Sequence, residues 1–250
     1  MKLETVHTLN KINESFYRAN GASFDRTRRS AWQGWGRIAG HLVRNCTENP
    51  LRILDMACGN MRFERYLLES LPEAALQAVC VDSCDDLAVE VDGCAYRHMD
   101  IVEALARDAL PESCFGTGFD LVVSFGFFHH VPDTLLRARL LQALVDAART
   151  DGLISLSLWR FASDAKLLEK ARRTTEEAVC GPYPTLDLDE GDYLLGWDGV
   201  PGAYRYCHSF ESDEIDALVS EIARSAVLVD RFRADGRTGG LNEYLVFQKR

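Results

Sequence analysis

The sequence predicts an α/β fold with a mostly parallel sheet and helices on both faces. Short apolar segments of strand length alternate with segments of helical periodicity, and small or acidic residues follow the strands. Of the 250 residues, 47% are hydrophobic and 26% are charged, a composition that is typical of a globular protein and excludes a disordered or collagen-like chain. Strand–helix–strand alternation implies right-handed crossovers between parallel strands.

The elements of the first half follow from local periodicity. Between Val6 and Phe16 the apolar residues are three or four positions apart, as on one face of a helix. Apolar runs that end at an acid or a serine are instead typical of buried strands. In order, we predict a helix over residues 3–16, a strand over 51–55, a helix that ends before Pro72, and strands over 76–81 and 119–124.

The second half continues the alternation and then departs from it. We predict a helix over residues 134–149, a strand over 153–159, a helix from Ser212, and strands over 227–232 and 243–248 that pair antiparallel around a turn-rich segment. Residues 160–205 lack clear periodicity and are rich in glycine and proline. We interpret residues 1–250 as one domain, with an N-terminal helical arm at 1–44 and an insertion or lid at 160–205 after the fifth strand.

Signals for membranes, secretion and metals are weak. No apolar run reaches the roughly 20 residues that span a bilayer, and the N-terminus lacks the apolar segment of a secretion signal. We therefore expect a cytoplasmic protein without a membrane partner. The eight cysteines lie mostly in apolar runs, and no pair has zinc-knuckle spacing, so we expect buried free thiols and no metal.

The residues that end the strands indicate the ligand. In a doubly wound sheet, ligands bind at the carboxyl ends of the strands. A dinucleotide fingerprint needs three glycines, and only Gly59 is present, so NAD and a dehydrogenase are disfavoured. Asp55 suits a ligand with an ammonium group, and Asp82 is placed to accept hydrogen bonds from ribose hydroxyls. Taken singly, each acid is equally well explained as a turn former or helix cap.

The loop at residues 55–62, Asp-Met-Ala-Cys-Gly-Asn-Met-Arg, resembles the glycine-rich loop of the class I S-adenosylmethionine-dependent methyltransferases, with Ala57 and Met61 replacing two glycines. The resemblance implies S-adenosylmethionine as cofactor and a Rossmann-like sheet of seven strands, the last pair including one antiparallel strand. It places Asp55 near the methionyl ammonium, Asp82 on the ribose and Asp100 at the adenine amine. The candidate cofactor-binding residues are Tyr17, Asp55, Ala57, Cys58, Gly59, Asp82, Ser83, Asp100, Ile101, Ser124, Phe125 and Gly126.

A narrower resemblance covers roughly residues 16–250. The segments Ser-Phe-Asp-Arg-Thr-Arg at 23–28, Phe-His-His-Val at 128–131 and Arg-Tyr-Cys-His-Ser-Phe at 205–210 are similar to motifs of the tRNA wobble-uridine carboxymethyl methyltransferases. Cys207 replaces a tyrosine of that pattern. The resemblance implies that Arg28, His129 and His208 line the acceptor pocket, and we add Arg205 as a candidate catalytic residue.

Several alternatives remain open at this point. A carboxylate acceptor is already ionised and needs no base, and Arg28 or Arg205 would orient it. A hydroxyl or amine acceptor would need a base, for which His129, His130 and His208 are candidates; His130 is equally typical of a core histidine. The rival functions are a small-molecule O- or N-methyltransferase and a non-catalytic cofactor-binding subunit, which Met61 suggests. A small activating protein subunit is a further possible partner.

The distribution of charge bears on the acceptor. The 28 basic and 38 acidic residues give a net charge of −10, which argues against generic nucleic-acid binding. However, residues 18–44 contain six arginines and one acid, whereas residues 174–204 contain seven acids and no lysine or arginine. We expect the basic arm to border the cofactor cleft if the acceptor is RNA, and the acidic segment to border it if the acceptor is a small molecule.

Overall fold

The structure is a computed structural model that describes residues 1–26, 30–46, 49–110 and 115–250, apart from the side chains of residues 22, 24 and 25. Its helices are α1 (Leu3–Arg26), α2 (Trp35–Asn45), α3 (Arg62–Ser70), α4 (Ile101–Ala106), α5 (Thr134–Ala147), α6 (Ala165–Val179) and α7 (Ser212–Glu221). Its strands are β1 (Leu51–Met56), β2 (Leu76–Asp82), β3 (Cys94–His98), β4 (Phe119–Ser124), β5 (Ala148–Trp159), β6 (Asp192–Trp197), β7 (Val200–His208), β8 (Ala226–Ala234) and β9 (Asn242–Lys249).

Seven of the strands form one sheet in the order β3-β2-β1-β4-β5-β9-β8. Strands β1 to β5 run parallel, and β9 is antiparallel to both of its neighbours, β5 and β8. The predicted Rossmann-like α/β fold with seven strands and one antiparallel strand near the end is therefore confirmed.

Apolar side chains cover both faces of the sheet. Strand β4 is buried throughout, as expected for a central parallel strand with helices on both sides. Leu140 and Leu144 of α5 pack in the cluster on one face, whereas Ile38 and Leu42 of α2 pack in the cluster on the other. The sheet is thus held between two helical layers, and its strand ends remain available for a ligand.

The segment interpreted as an insertion contains regular structure that its sequence did not reveal. Helix α6 is followed by β6 and β7, which form a separate two-stranded antiparallel sheet. Leu194 and Tyr206 of this sheet pack against Leu9 and Ile12 of α1. The hairpin and the N-terminal helix therefore support one another beside the main sheet.

Two further expectations can be compared with the described residues. The seven cysteines among them are free, as predicted, but only Cys58, Cys80 and Cys207 are buried, and Cys180 is exposed. In the same ranges, no helix is long and apolar enough to cross a membrane.

Candidate active site

A cleft of about 630 Å³ opens at the carboxyl ends of β1, β2 and β4. The chain order changes direction between β1 and β4, and such a switch point is where open α/β sheets bind ligands. Most of the predicted cofactor residues line it: Tyr17, Asp55, Ala57, Cys58, Gly59, Asp82, Ser83, Asp100, Ile101, Phe125 and Gly126. Ser124 instead lies fully buried in β4.

The loop after β1 keeps a tight turn although two glycines of the resemblance are absent. Ala57, Gly59 and Met61 all have positive φ, at 72°, 54° and 53°. The N–H groups of Ala57 and Cys58 both donate to the carbonyl of Val81, which ties the loop to β2. The Met61 side chain is 1% exposed and packs in the core, so its bulk lies below the loop and not in the cleft.

Asp82 is oriented by the backbone. One carboxylate oxygen accepts the N–H of Gly59 and the other that of Cys84, both at 2.9 Å. Burial raises the pKa of Asp82, and these backbone hydrogen bonds offset part of that increase. Each carboxylate oxygen has a further lone pair, so Asp82 can accept two hydroxyl hydrogen bonds from a ligand in the cleft.

Asp55 is buried at the end of β1 beside a second carboxyl group, that of Glu64 on α3. Burial raises the pKa of Asp55 well above its usual range, and the charge of Glu64 raises it further. Sequence reasoning did not single out Glu64; a charged residue between the apolar Phe63 and Leu67 of α3 was the available signal.

Asp100 is both a helix cap and a wall of the cleft. One of its carboxylate oxygens accepts the N–H of Glu103 at 2.9 Å and thereby caps α4. The other accepts the side-chain amide of Asn10 at 2.7 Å. This contact ties α1 to the part of the cleft beside Ile101, where the resemblance implies that the adenine binds. The two interpretations of Asp100 as a cap and as a ligand contact are therefore compatible.

The loop after β4 is covered by the arm. Gly126 has a φ of 73°, and its N–H donates to the Ser157 hydroxyl at 2.9 Å. A side chain at this position would come within 2.9 Å of the Trp32 ring. Trp32 stacks on Trp35, with ring centroids 5.6 Å apart, and both tryptophans line the cleft.

The two adjacent histidines differ in their surroundings. The Nε2 atom of His130 is 2.7 Å from the Tyr17 hydroxyl, and Nδ1 is 2.8 Å from the carbonyl of Tyr206. Since a carbonyl only accepts, Nδ1 carries the proton and Nε2 accepts from Tyr17. His129 lines the cleft, 5.0 Å from Trp159 between ring centroids. Both histidines line the cleft, and His130 in addition links α1 to the hairpin.

Of the remaining predicted acceptor residues, the structure describes His208 and Arg205, and neither lines the cleft. Arg28 lies outside the described residues. His208 is buried, with Asp192 and Glu214 each 2.7 Å from one ring nitrogen. Although burial lowers the pKa of His208, these two hydrogen bonds raise it above its usual value. His208 belongs to this ion-pair cluster and does not line the cleft, which corrects its expected position.

Arg205 also lies behind the cleft wall. Its guanidinium carbon is 5.5 to 5.6 Å from the ring centroids of Phe16, Trp159 and Trp197. Of these rings only that of Trp159 lines the cleft. Arg205 thus packs against the ring that forms the wall, and its contact with an acceptor stays a prediction.

One group of possible metal ligands occurs in the part of the chain that the structure describes. The ligand atoms of His129, His130 and Cys207 lie within 4.8 Å of one another. However, both nitrogens of His130 are engaged by Tyr17 and Tyr206, so this group is explained without a metal. The absence of a metal remains a prediction.

Apart from Tyr17, sequence reasoning missed the residues of α1 that cover the cleft. Asn10, Asn13, Glu14, Tyr17 and Arg18 line it, and their spacing puts them on one side of the helix. The same periodicity that predicted an apolar face also contained this polar face. It went unrecognised because a polar helix face usually contacts solvent.

Comparison with known proteins agrees with this geometry. No protein-family model matches the chain. A protein of Encephalitozoon cuniculi (strain GB-M1) that is named as a methyltransferase is 26% identical over 206 residues, which cover 82% of this chain and 83% of the relative.

Two solved structures share the architecture. A methyltransferase of Methanosarcina mazei that depends on S-adenosylmethionine has a TM-score of 0.59 and 15% identity, over 83% of this chain and 96% of its own. The 1,6-didemethyltoxoflavin N1-methyltransferase of Burkholderia thailandensis, with S-adenosylhomocysteine bound, has a TM-score of 0.57 and 17% identity, over 94% and 86%.

The chain has the class I S-adenosylmethionine-dependent methyltransferase fold. The comparisons support the predicted activity and cofactor at this level, and they do not extend to a tRNA acceptor.

Proposed function

We propose that the protein is an S-adenosylmethionine-dependent methyltransferase whose cofactor binds in the cleft at the ends of β1, β2 and β4. The observation that carries this proposal is the arrangement of Asp82, whose two oxygens are held by Gly59 and Cys84 at the switch point of the sheet. Asp82 would bind the ribose hydroxyls, Asp55 the methionyl ammonium, and Asp100 with Ile101 the adenine edge. The bound cofactor would supply an electrophilic methyl group on a sulfonium.

Methyl transfer from a sulfonium mainly requires that the acceptor atom be held in line with the methyl group. Trp32, Phe125, His129 and Trp159 line the cleft and would hold a planar acceptor and exclude water. His129 would orient a carboxylate acceptor by donating a hydrogen bond, or would accept the proton of a hydroxyl acceptor.

For the acceptor, we propose a carboxylate on RNA, at a tRNA wobble uridine. The basic arm borders the cleft through Arg18, Trp32 and Trp35, whereas no described residue in 174–204 lines it. This is the geometry we expected for an RNA acceptor. Aromatic rings can stack on an exposed base, and Arg18, which forms an ion pair with Glu14 on the surface, is placed to exchange that partner for a phosphate.

A small-molecule acceptor is the second candidate. Among the described residues lining the cleft there are seven acids and two arginines, Arg18 and Arg62, a balance that would repel a polyanion near the cofactor. The Burkholderia neighbour is named for a small-molecule acceptor. Both observations favour a small molecule if RNA is not methylated, and the acidic lining favours one that is uncharged or cationic.

Transfer of a labelled methyl group distinguishes these candidates. Purified protein is incubated with methyl-labelled S-adenosylmethionine and total cell extract, and the label is tested for sensitivity to ribonuclease and to mild base. Loss under both treatments supports an ester on RNA, whereas label in the small-molecule fraction contradicts the RNA acceptor. If S-adenosylmethionine binds but no label is transferred, the protein is a non-catalytic cofactor-binding subunit or needs an activating partner.

The contribution of the arm is tested by a matched pair of variants. Arg18→Gln removes a charge at the cleft, and Arg44→Gln removes an exposed charge at the end of α2. If RNA is the acceptor, Arg18→Gln lowers labelling of RNA and Arg44→Gln does not. Equal labelling by both variants would contradict a role for Arg18 in RNA binding.

A further inference from the structure

Glu64 is a buried carboxyl group that the proposed reaction does not use. It lies in the first turn of α3 and is 0% exposed. Neither of its carboxyl oxygens accepts a hydrogen bond from the described residues, and the same holds for Oδ1 of Asp55. Carboxylates almost never remain buried without a partner, so these three oxygens together require an explanation.

The two carboxyl groups are near enough to share a hydrogen bond. Burial raises the pKa of each of them; their mutual contact raises the pKa of Asp55 further and lowers that of Glu64, so the proton of the free pair favours Asp55. Two carboxylates in contact cannot both be ionised in a buried site, and such pairs hold one proton between them. A shared proton would give one oxygen of Asp55 and one of Glu64 a hydrogen-bond partner. Both oxygens would lack this partner if the two groups were ionised.

The groups around the pair supply no compensating charge. Asp82 from β2 adds negative charge, and Arg65 from α3 is the cation that acts on Glu64, but its side chain is exposed and donates to the carbonyl of Asn60. The thiols of Cys80 and Cys94 also lie close to the pair.

These thiols are neutral at pH 7. The contact between Cys58 and Cys80 raises the pKa of Cys80, and that between Cys80 and Cys94 raises the pKa of Cys94. For Cys58 the same contact with Cys80 lowers the pKa, but burial and the carboxylates raise it more, to about 11. The thiols therefore add no positive charge beside the pair, and of the described neighbours Asp82, Arg65 and the three thiols, only the exposed Arg65 does so.

We propose that Glu64 is a positioning residue that retains a proton and donates it in a hydrogen bond to Asp55 when the cofactor is bound. In the free protein the proton is shared by the pair. The ammonium of the cofactor draws the negative charge to Asp55, and the proton moves to Glu64 without leaving the pair. Glu64 thereby orients Asp55, and the pair carries one negative charge opposite the one positive charge of the cofactor's ammonium group.

This inference rests on the proposed cofactor site, and it predicts different outcomes for two substitutions of Glu64. Glu64→Gln keeps a neutral hydrogen-bond donor of nearly the same shape, whereas Glu64→Leu removes the donor and leaves a buried Asp55 oxygen unsatisfied. With S-adenosylhomocysteine as the probe, we expect Glu64→Gln to bind within threefold of the wild type. We expect Glu64→Leu to bind about tenfold or more weakly, as for loss of a hydrogen bond to a charged group. Glu69→Gln, an exposed change on the same helix, should alter neither affinity nor spectrum.

Infrared spectroscopy gives a readout that packing alone would not change. In the complex with S-adenosylhomocysteine at pH 7, the wild-type protein should show the carbonyl band of a buried carboxylic acid, and Glu64→Gln should lack it. A wild-type complex without this band overturns the proposal, and so does a Glu64→Gln variant that binds as weakly as Glu64→Leu. If Glu64→Leu does not fold, the band and the affinity of Glu64→Gln decide.

Failure of the proposed function is distinguishable from failure of this inference. Calorimetry that detects no binding of S-adenosylhomocysteine to the wild type at millimolar concentration refutes the cofactor site. The shared proton is then tested in the free protein, where the acid band should be present in the wild type and weakened in Glu64→Gln; its absence from the wild type overturns the pairing.

Discussion

Replacement of Gly34 by alanine tests how the arm is held against the sheet. Gly34 precedes α2 with φ of −62° and ψ of −27°, a conformation that alanine adopts readily. Its N–H donates to Asp235 at 3.2 Å. A Cβ at this position would lie 2.4 Å from two ring carbons of Tyr244. Tyr244 is fully buried, stacks on Phe232 and donates its hydroxyl hydrogen bond to Asp235, so the ring has little freedom to move.

The magnitudes of the opposing effects decide the sign. A glycine-to-alanine change at a compatible backbone position stabilises a protein by about 0.4–1 kcal/mol. Overpacking a well-packed core costs about 1–3 kcal/mol, and loss of the hydrogen bond to the Asp235 carboxylate would cost about 1.5–3 kcal/mol more. We therefore expect Gly34→Ala to lower the free energy of unfolding by about 1.5–5.5 kcal/mol, with the upper end reached if the hydrogen bond is lost.

Gly40→Ala in the same helix is the matched control. Its Cβ would meet only the flexible end of Arg44, at 3.4 Å, so we expect stabilisation by about 0.5–1 kcal/mol. Urea denaturation followed by tryptophan fluorescence measures both changes. Gly34→Ala should also weaken binding of S-adenosylhomocysteine, because Trp32 and Trp35 line the cleft. If Gly34→Ala is as stable as Gly40→Ala, the inference that Tyr244 and Asp235 fix the arm is wrong.

Three further predictions concern the cofactor loop, the ribose contact and the buried histidine. Ala57→Gly should raise the free energy of unfolding by up to about 1 kcal/mol because it relieves a positive φ. Met61→Gly should instead lower it by about 1–3 kcal/mol because a buried side chain is lost. Equal shifts of the two variants in denaturation midpoint would contradict this. Asp82→Asn should weaken binding of S-adenosylhomocysteine by roughly 10- to 100-fold in calorimetry, because a charged acceptor is lost, and unchanged affinity would refute the ribose contact. The pKa of His208 is raised in the folded protein. The charged ring therefore stabilises the fold fully below the unfolded pKa of about 6.5, and this contribution disappears as pH rises through the folded value. His208→Gln should destabilise the protein more at pH 6 than at pH 9, and a loss of stability independent of pH would contradict the ion pairing.

The main sheet could be predicted because its strands have continuous apolar runs. Strand β3 was not predicted because it is partly exposed along its length and lacks such a run. Helix α6 was missed since its buried residues are Ala171, Thr174 and Ala178, which form a narrow stripe of small side chains. These two elements bury few large apolar residues, and α4, which was also not predicted, buries Ile101, Val102 and Leu105 but is only six residues long.

The candidate cofactor residues could be predicted because parallel strands end at the same edge, which brings Asp55 and Asp82 together whatever the loops do. Of the predicted acceptor residues, His129 lines the cleft, whereas the surroundings of His208 could not be predicted from the sequence. Strand β7 pairs with β6, an element that was not predicted, and this pairing sets Asp192 opposite His208. A motif within one strand does not reveal which partner covers it, so His208 was assigned to a pocket when it forms a buried ion pair.

The loop after β1 has the backbone geometry of the glycine-rich loop, although Ala57 and Met61 replace two of its glycines. A residue other than glycine in the left-handed region costs about 1–2 kcal/mol, and both Ala57 and Met61 bear this cost. Burial of a methionine side chain contributes about 1.5–3 kcal/mol, which offsets the strain at Met61, while Ala57 has no such compensation. Because Met61 packs into the core and does not line the cleft, its presence no longer favours a non-catalytic cofactor-binding subunit. Two buried residues therefore distinguish this site. Met61 supports the loop by packing into the core, and Glu64 of α3 acts on the charge of Asp55.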